Sequence, residues 1–273
     1  MTQNEPHRAG TSADTKKVLL ETNPQGLTIK FGGLTAVKDF RLRLCEGELV
    51  GLIGPNGAGK TTAFNLLTGV YQPTEGSIRL NGVSLANKRP HQITKLGMTR
   101  TFQNIRLFKD LTVLDNVMAA MHQGHKAGFA SAMLRLTSFF TEEESMRVEA
   151  RRLLDLMDLA KYEEFEAKNL PYGAQRRLEI ARALATRPRV ILLDEPAAGM
   201  NDTETDDLME MIRRLQREFG VTILLIEHDM GLVMGICERL IVLNQGQIIA
   251  EGLPAQIRKD PEVIKAYLGE EEA

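Results

Sequence analysis

Uninterrupted apolar runs alternate with helix-like stretches along most of the chain. Residues 47–54 (GELVGLIG), 189–195 (RVILLDE) and 221–227 (VTILLIE) are the clearest runs, and each is bounded by turn-forming or acidic residues. Such runs are typical of strands that are buried on both faces of a parallel sheet. The pattern therefore predicts an α/β core that is built around buried parallel strands.

Other short segments alternate apolar and polar residues. Residues 26–31 and 39–47 have this pattern, which is typical of antiparallel strands with one face in water. Residues 78–82 and 241–252 place a turn residue beside strand formers, and the second segment predicts a hairpin that turns at Asn244-Gln245-Gly246. We therefore expect antiparallel strands beside the parallel core.

The middle of the chain has a helical pattern. Residues 111–170 contain no strand-like run, and residues 146–159 form an amphipathic pattern. The apolar face of that predicted helix consists of Val148, Leu153, Leu156, Met157 and Leu159. We predict a mostly helical subdomain at 104–180, inserted into an α/β core that covers 18–103 and 181–273.

The amino-acid composition is that of a globular protein, and its charge balance bears on whether the chain binds nucleic acid. Of 273 residues, 43% are hydrophobic, and 34 Lys and Arg stand against 36 Asp and Glu. This balance gives no electrostatic argument for nucleic acid as the main ligand. The chain has only two cysteines, Cys45 and Cys237, which are far apart in the sequence and so lack zinc-ligand spacing. So few cysteines favour a reducing compartment.

The beginning of the chain and its hydropathy predict where the protein works. Residues 1–17 are polar and aperiodic, which predicts a disordered tail rather than a secretory signal. No run reaches the roughly 18 uncharged apolar residues that a membrane-spanning helix needs. We therefore expect a cytosolic protein that reaches a membrane only through a partner.

A glycine-rich turn follows the first buried strand. Residues 54–61, GPNGAGKT, match the phosphate-binding pattern G-x-x-x-x-G-K-[ST], and a helical pattern follows. The glycines let backbone N–H groups face a phosphate, and the helix N-terminus adds the positive end of its dipole. Lys60 is predicted to reach the β- and γ-phosphates of a nucleotide, and the Thr61 hydroxyl is predicted to bind Mg²⁺.

Two carboxylates end the second buried strand. Asp194 is predicted to reach the Mg²⁺ that Thr61 binds, and Glu195 is predicted to be the general base for the water in line with the γ-phosphate. Alone, such residues are more often solvated strand ends. The phosphate loop upstream favours the catalytic interpretation.

Several further motifs resemble those of ABC transporter ATPases. Residues 169–184 (NLPYGAQRRLEIARAL) resemble the LSGGQ signature and the helix that follows it. Residues 101–103 (TFQ) resemble the Q-loop, and residues 226–229 (IEHD) resemble the switch-histidine segment. Residues 198–201 occupy the position of the D-loop. The resemblance covers about residues 18–270. It implies the ABC ATPase fold, an α/β fold with a P-loop NTPase (RecA-like) core, an antiparallel β subdomain and an inserted helical subdomain, all within one domain at 18–273.

The resemblance also implies roles for individual residues. Glu195, His228 and Gln103 would be catalytic, with His228 on the γ-phosphate. ATP would be held by Phe31, Val37, Asn56, Gly57, Gly59, Lys60, Thr61 and Thr62, and by Gly173 of the opposite subunit. Mg²⁺ would be bound by Thr61, Gln103 and Asp194. Phe31 has a second interpretation as a core aromatic, and the pairs Arg151-Arg152 and Arg176-Arg177 are interpreted as solvated.

The family works through partner proteins. The resemblance implies a head-to-tail pair with a homologous ATPase subunit, identical or paralogous, which sandwiches two ATP molecules. It implies integral membrane permease subunits, and indirectly a periplasmic or extracellular substrate-binding protein. The chain would then lie on the cytoplasmic face of a prokaryotic membrane, with no nucleic-acid partner.

Three stretches resemble the ATPases of branched-chain amino-acid importers. They are residues 31–40, 100–120 and 224–272, and residues 122–150 fill the place of the extra helical segment in the longer of the two ATPase subunits. The alternatives are an ATPase for urea or amide import, or for lipopolysaccharide export. A DNA-repair or translation ATPase is disfavoured because the chain has no coiled-coil insertion and no second ATPase domain.

The signature departs from the family pattern. Pro171 stands where the family has Ser, Tyr172 replaces the first Gly, and Ala174 replaces the Gln. Proline offers neither a hydroxyl nor an N–H to a phosphate. We therefore expect a functional but weaker ATP sandwich.

Overall fold

The computed structural model describes residues 16–121 and 137–268. The strands are β1 (Val18–Thr22), β2 (Leu27–Phe31), β3 (Leu34–Phe40), β4 (Arg43–Cys45), β5 (Leu49–Ile53), β6 (Ile78–Leu80), β7 (Val83–Ser84), β8 (Met98–Arg100), β9 (Val190–Asp194), β10 (Thr222–Ile226), β11 (Arg239–Asn244) and β12 (Gln247–Gly252). The α-helices are α1 (Lys60–Leu67), α2 (Pro90–Lys95), α3 (Val113–Met121), α4 (Thr137–Leu156), α5 (Tyr172–Ala185), α6 (Asp202–Phe219), α7 (Met230–Ile236), α8 (Pro254–Ile257) and α9 (Pro261–Leu268). None of the helices within these ranges is both long and apolar enough to cross a bilayer.

A six-stranded sheet lies at the centre, in the order β12-β11-β5-β10-β9-β8. Every neighbouring pair is parallel except β11 and β12. The three apolar runs of the sequence form β5, β9 and β10, and every residue of these strands is buried. The predicted parallel core is confirmed.

The central strands divide their side chains between two hydrophobic cores. In β9, Ile191 and Leu193 pack with residues of α3 to α7 in what we call the helical-side core. Val190 and Leu192 pack with α1 and with strands of the antiparallel sheets in what we call the P-loop-side core. Successive side chains of a strand point to opposite faces, so the sheet is covered on both sides.

The antiparallel strands form two smaller sheets, β4-β1-β6-β7 and β2-β3. The hairpin between β11 and β12 turns where predicted, because Gln245 and Gly246 both have positive φ, at 45° and 77°. The prediction of one strand over 39–47 is wrong. Asp39 has a φ of 51°, which Asp tolerates better than most residues, and the chain leaves β3 at Phe40 and joins the other sheet as β4.

The amphipathic pattern at 146–159 is buried as predicted at Leu153, Leu156, Met157 and Leu159, and only Val148 is misplaced. In α4, Met146, Ala150, Leu153 and Leu154 are buried, whereas Val148 is 60% exposed, because it lies on the opposite side of the helix from the Met146–Ala150 row. The helix ends at Leu156, and Asp158, with a φ of 54°, turns the chain away before Leu159.

The limits of the predicted subdomains stay predictions. The boundary between 180 and 181 falls inside α5, which contributes buried residues to the helical-side core from both sides of it. Residues 1–15 of the predicted tail, and 122–136 of the extra segment, lie outside the described residues. The backbone carbonyl oxygen of Lys17, the last residue of that predicted tail, accepts a hydrogen bond from Glu46 N–H at 2.8 Å.

Candidate nucleotide site

The glycine-rich turn joins β5 to α1 as the sequence indicates. Gly54 has a φ of 150°, and a Cβ there would lie 2.0 Å from the Leu243 carbonyl oxygen, so no side chain fits. Gly59, with a φ of 101°, caps α1 in the left-handed region. Lys60 Nζ donates to the carbonyl oxygens of Gly54 at 2.5 Å and Pro55 at 2.8 Å, which holds the ammonium over the loop.

The other predicted P-loop residues differ in exposure. Asn56, Gly57 and Thr61 are exposed, and Thr62 is half-buried. Asn56 and Gly57 line a cavity of about 660 Å³ together with Lys265 of α9. The loop therefore presents backbone and hydroxyl groups to solvent, where a phosphate chain can reach them.

The two acidic residues lie at the carboxyl end of β9. Asp194 is 4% exposed and accepts a hydrogen bond from Arg100 Nη2 at 2.6 Å. Glu195 has a φ of 44°, an uncommon conformation for this residue type, and its N–H donates to Ile226 O at 2.9 Å. Backbone strain of this kind is concentrated at functional sites.

Gln103 and Glu195 meet directly. Gln103 Nε2 donates to Glu195 Oε2 at 2.8 Å, although the two residues are far apart in the sequence. The contact joins the predicted Q-loop to the predicted base. The glutamine amide therefore donates directly to the carboxylate that the sequence predicts as the base.

A cavity of about 780 Å³ connects these residues with the helical segments. Thr61, Gln103 and Asp194 line it, and Arg106 and Arg182 belong to its wall as well. Hydroxyl, amide and carboxylate oxygens are the hard donors that Mg²⁺ prefers. The described residues contain no cluster of three His, Cys, Asp or Glu side chains that could bind a metal by themselves. This donor set fits Mg²⁺, which usually keeps waters and substrate phosphates as further ligands.

Glu227 and His228 follow β10. The Glu227 side chain is buried, and its oxygens accept from the N–H groups of Ala197 at 2.9 Å and His228 at 3.3 Å. Burial raises the pKa of Glu227 above its usual value, while these hydrogen bonds and the nearby His228 oppose the rise. The His228 side chain is 62% exposed, and no hydrogen bond joins it to Glu195 or Gln103 in the described part of the chain.

The two residues predicted beside adenine have different surroundings. Phe31 is 45% exposed and packs edge-on against Tyr71, with ring centroids 5.3 Å apart. Its exposed face is available to a planar ligand. Val37 is fully buried and its Cγ2 lies behind Gly59, so its burial favours a supporting position under the P-loop over contact with adenine.

The predicted signature begins α5. Pro171 is the residue before the helix, and its carbonyl accepts from Gln175 N–H at 3.0 Å. Gly173 lines a small cleft with Met200 and Glu204, and no P-loop residue of the same chain lines that cleft. The structure therefore does not bring Gly173 together with Lys60 of its own chain.

The interpretation of Arg176 as a solvated residue is wrong. Its side chain is fully buried, and it donates to Phe102 O at 2.7 Å, Gln103 O at 2.8 Å and Glu179 Oε2 at 2.9 Å. Arg177 is only half-buried. The sequence signal for Arg176 was an oppositely charged residue three positions on, along an otherwise apolar helix face.

Two family models match the chain. Residues 37–198 match the model described as "ABC transporter". Residues 247–273 match the model described as "Branched-chain amino acid ATP-binding cassette transporter". The first match spans the P-loop, the Q-loop segment, the signature and the acidic pair.

Individual relatives agree with these matches. The high-affinity branched-chain amino acid transport ATP-binding protein BraF of Pseudomonas aeruginosa is 50% identical over 245 residues, which are 90% of this chain and 96% of BraF. Among solved structures, the ADP conformation of an ATP-binding cassette of an ABC transporter is 30% identical, with a TM-score of 0.79, over 92% of this chain and 99% of that one. A dimeric, post-hydrolysis ATP-binding cassette bound to ADP and Pi is 26% identical, with a TM-score of 0.72, over 86% and 99%.

Proposed function

Because the chain belongs to the ABC transporter ATP-binding family, we propose that it is the ATP-hydrolysing subunit that powers an importer of branched-chain amino acids. The observation that carries the ATPase part is the contact between Gln103 and Glu195 beside Asp194 and the P-loop. Half of the aligned residues are identical to those of BraF, whose name specifies branched-chain amino acids, and this identity supports the substrate class.

The P-loop would bind the triphosphate of ATP. Backbone N–H groups at Asn56, Gly57 and Gly59, with Lys60, would face the phosphates, because a helix N-terminus and a cation favour negative charge. Phe31 would stack on the adenine through its exposed face. Thr61, Asp194 and the Gln103 amide oxygen would hold Mg²⁺, which neutralises charge on the β- and γ-phosphate oxygens when bound.

Glu195 would act as the general base. Its carboxylate would take a proton from the water that attacks the γ-phosphorus, the bond from that phosphorus to the β–γ bridging oxygen would break, and ADP would leave with the electron pair. The Gln103 hydrogen bond would keep the carboxylate aimed at that water. His228, exposed at the end of β10, would reach the γ-phosphate in the closed site.

Hydrolysis would require a second ATPase subunit in head-to-tail orientation. Gly173 is separate from the P-loop of its own chain, which supports a role for the signature on the ATP of the opposite subunit. The related dimeric cassette supports the same pairing. Permease subunits would hold the pair on the cytoplasmic face of the membrane, and a substrate-binding protein would act on the other side.

The P-loop assignment is tested by Lys60→Ala. We expect ATP affinity to fall at least about tenfold, because the variant removes a cation that faces the β- and γ-phosphates. The measurement is ATP binding by isothermal titration. ATP affinity within about threefold of the parent would contradict the assignment.

The transport assignment is tested by capture from membranes. The tagged chain, expressed in its own host, should co-purify from detergent-solubilised membranes with integral permease subunits. Vesicles that contain this complex and its binding protein should accumulate leucine, isoleucine or valine when ATP is present. Accumulation of urea or amides instead, or capture of lipopolysaccharide-export subunits, would favour the alternatives.

A further inference from the structure

Arg100 lies where the P-loop helix, the acidic strand and the Q-loop segment meet. Its Nη2 donates to Asp194 Oδ2 at 2.6 Å, and its Nη1 donates to Asn65 Oδ1 of α1, also at 2.6 Å. Both members of the ion pair are buried, with side chains 7% and 5% exposed. The carboxylate that would bind Mg²⁺ is therefore already paired with a positive charge of the protein, the Arg100 guanidinium.

We propose that Arg100 competes with Mg²⁺ for Asp194, so that the metal binds fully only when the guanidinium withdraws. The inference rests on the proposed function, which gives Asp194 to the metal. A guanidinium and a divalent cation on one carboxylate repel each other, and in a buried site this repulsion is weakly screened. The free energy of metal binding therefore includes the loss of the Arg100–Asp194 ion pair.

The surroundings of Arg100 provide a direction for its withdrawal. The guanidinium carbon lies 5.2 Å from the ring centre of Phe102 and 5.5 Å from that of Phe64, so aromatic faces accompany the cation. Arg100 Nε has no hydrogen-bond partner among the described residues. Asp194, Phe102 and Arg106 line the same cavity. Movement of Arg100 along Phe102 would change the packing beside Gln103 at the moment when the metal binds.

The competition is measured with Mn²⁺ as the probe and ADP as the nucleotide. Mn²⁺ gives an electron paramagnetic resonance signal, and ADP is not consumed. In the full chain, Arg100→Gln should bind Mn²⁺ about tenfold tighter than the parent in the presence of ADP, within the range typical of coupled sites. The control is Arg106→Gln, since Arg106 lines the same cavity and stacks on Phe102 at 3.9 Å without an ion pair to Asp194. Its Mn²⁺ affinity should stay at the parental value.

Thermal unfolding gives an independent readout. With ADP and a chelator, Arg100→Gln should unfold at a lower temperature than the parent, because buried Asp194 has lost its cation. Added Mn²⁺ should narrow that difference, since a ligand that binds the variant more tightly stabilises it more. Arg100→Lys keeps a cation without the planar fork and should fall between the two, which preserves the test if Arg100→Gln does not fold.

The outcomes separate this inference from the proposed function. If the parent binds no Mn²⁺ in an ADP-dependent manner, the metal site fails and the competition fails with it. If the parent binds Mn²⁺ but both Arg100 variants bind it equally or more weakly, the competition is overturned and the metal site stands. An equal gain in Arg106→Gln would assign the effect to the general charge of the cavity and would also overturn it.

Discussion

Glu227 is a buried carboxylate that accepts hydrogen bonds from the N–H groups of Ala197, just before the D-loop segment, and of His228. Burial raises its pKa above the usual value of 4.5. Between pH 4.5 and that raised pKa, the folded chain therefore binds more protons than the unfolded chain. Stability should therefore fall as the pH rises through that window. In Glu227→Gln this loss is absent, so the free energy of unfolding should increase relative to the parent as the pH rises from 4.5.

The measurement is urea unfolding of both proteins at a series of pH values, because other titrating groups cancel in the difference. Glu46→Gln is the matched control, since it removes a carboxylate from an exposed position. A difference between Glu227→Gln and the parent that does not change with pH would contradict the prediction.

At the scale of single residues, the sequence predicted which residues belong to the site better than it predicted the burial and the partners of their side chains. Gln103 and Glu195 were singled out from separate motifs, and they meet at 2.8 Å. Arg176 and Arg177 are neighbours of the same type, yet only Arg176 is fully buried, since which arginine faces the Q-loop depends on how α5 is rotated. Arg100 was not singled out either, because its partners Asn65 and Asp194 come from distant parts of the chain.

Helix α5 is attached to the Q-loop segment by a buried ion pair. Arg176 binds the carbonyl oxygens of Phe102 and Gln103, and Glu179 accepts from the N–H groups of Phe102 and Arg106 at 3.3 Å each. Removing one partner leaves the other charge buried and uncompensated. Arg176→Met should therefore lower the free energy of unfolding by about 3–5 kcal/mol.

Urea unfolding measures this loss, and two variants define its cause. Arg177→Met, on the adjacent half-buried residue, should change stability by only about 0.5 kcal/mol. Arg176→Met with Glu179→Gln should recover part of the loss, because Gln keeps an acceptor and removes the charge. If Arg176→Met has the same free energy of unfolding as the parent, the ion pair does not stabilise this junction.

At the scale of elements, apolar runs located the parallel strands because burial on both faces leaves little room for polar residues. The antiparallel segments were harder. The strand predicted at 39–47 is divided because the chain changes sheets between Phe40 and Arg43, which alternation cannot reveal. In α4, Val148 is exposed although it is apolar, because it lies on the opposite side of the helix from the buried residues Met146 and Ala150.

For the whole molecule, pairing of two ATPase subunits should depend on Pro171. A serine hydroxyl there would donate to the opposing γ-phosphate, and one hydrogen bond to a charged group is worth about 1.5–3 kcal/mol. Pro171→Ser should therefore raise the ATP-dependent dimer fraction. The measurement is sedimentation velocity in a Glu195→Gln background, where the base is lost and ATP persists.

Pro171→Ala is the control that separates the hydroxyl from the shape of the loop. It removes the proline ring and restores an N–H but adds no hydroxyl. If Ala and Ser raise the dimer fraction equally, proline acts through backbone conformation. No gain with either would leave the weaker sandwich without support.

The division of each central strand between two cores has a consequence for how the molecule opens. Adjacent residues of β9 anchor opposite sides of the sheet, so neither the helical-side core nor the P-loop-side core can melt without loosening the strand that anchors the other. Amide protons of β5, β9 and β10 should therefore exchange with deuterium last and at a common rate, whichever side a destabilising substitution lies on. The sheet would then be one cooperative unfolding unit, and local fluctuations near the nucleotide would be confined to the loops at its carboxyl edge.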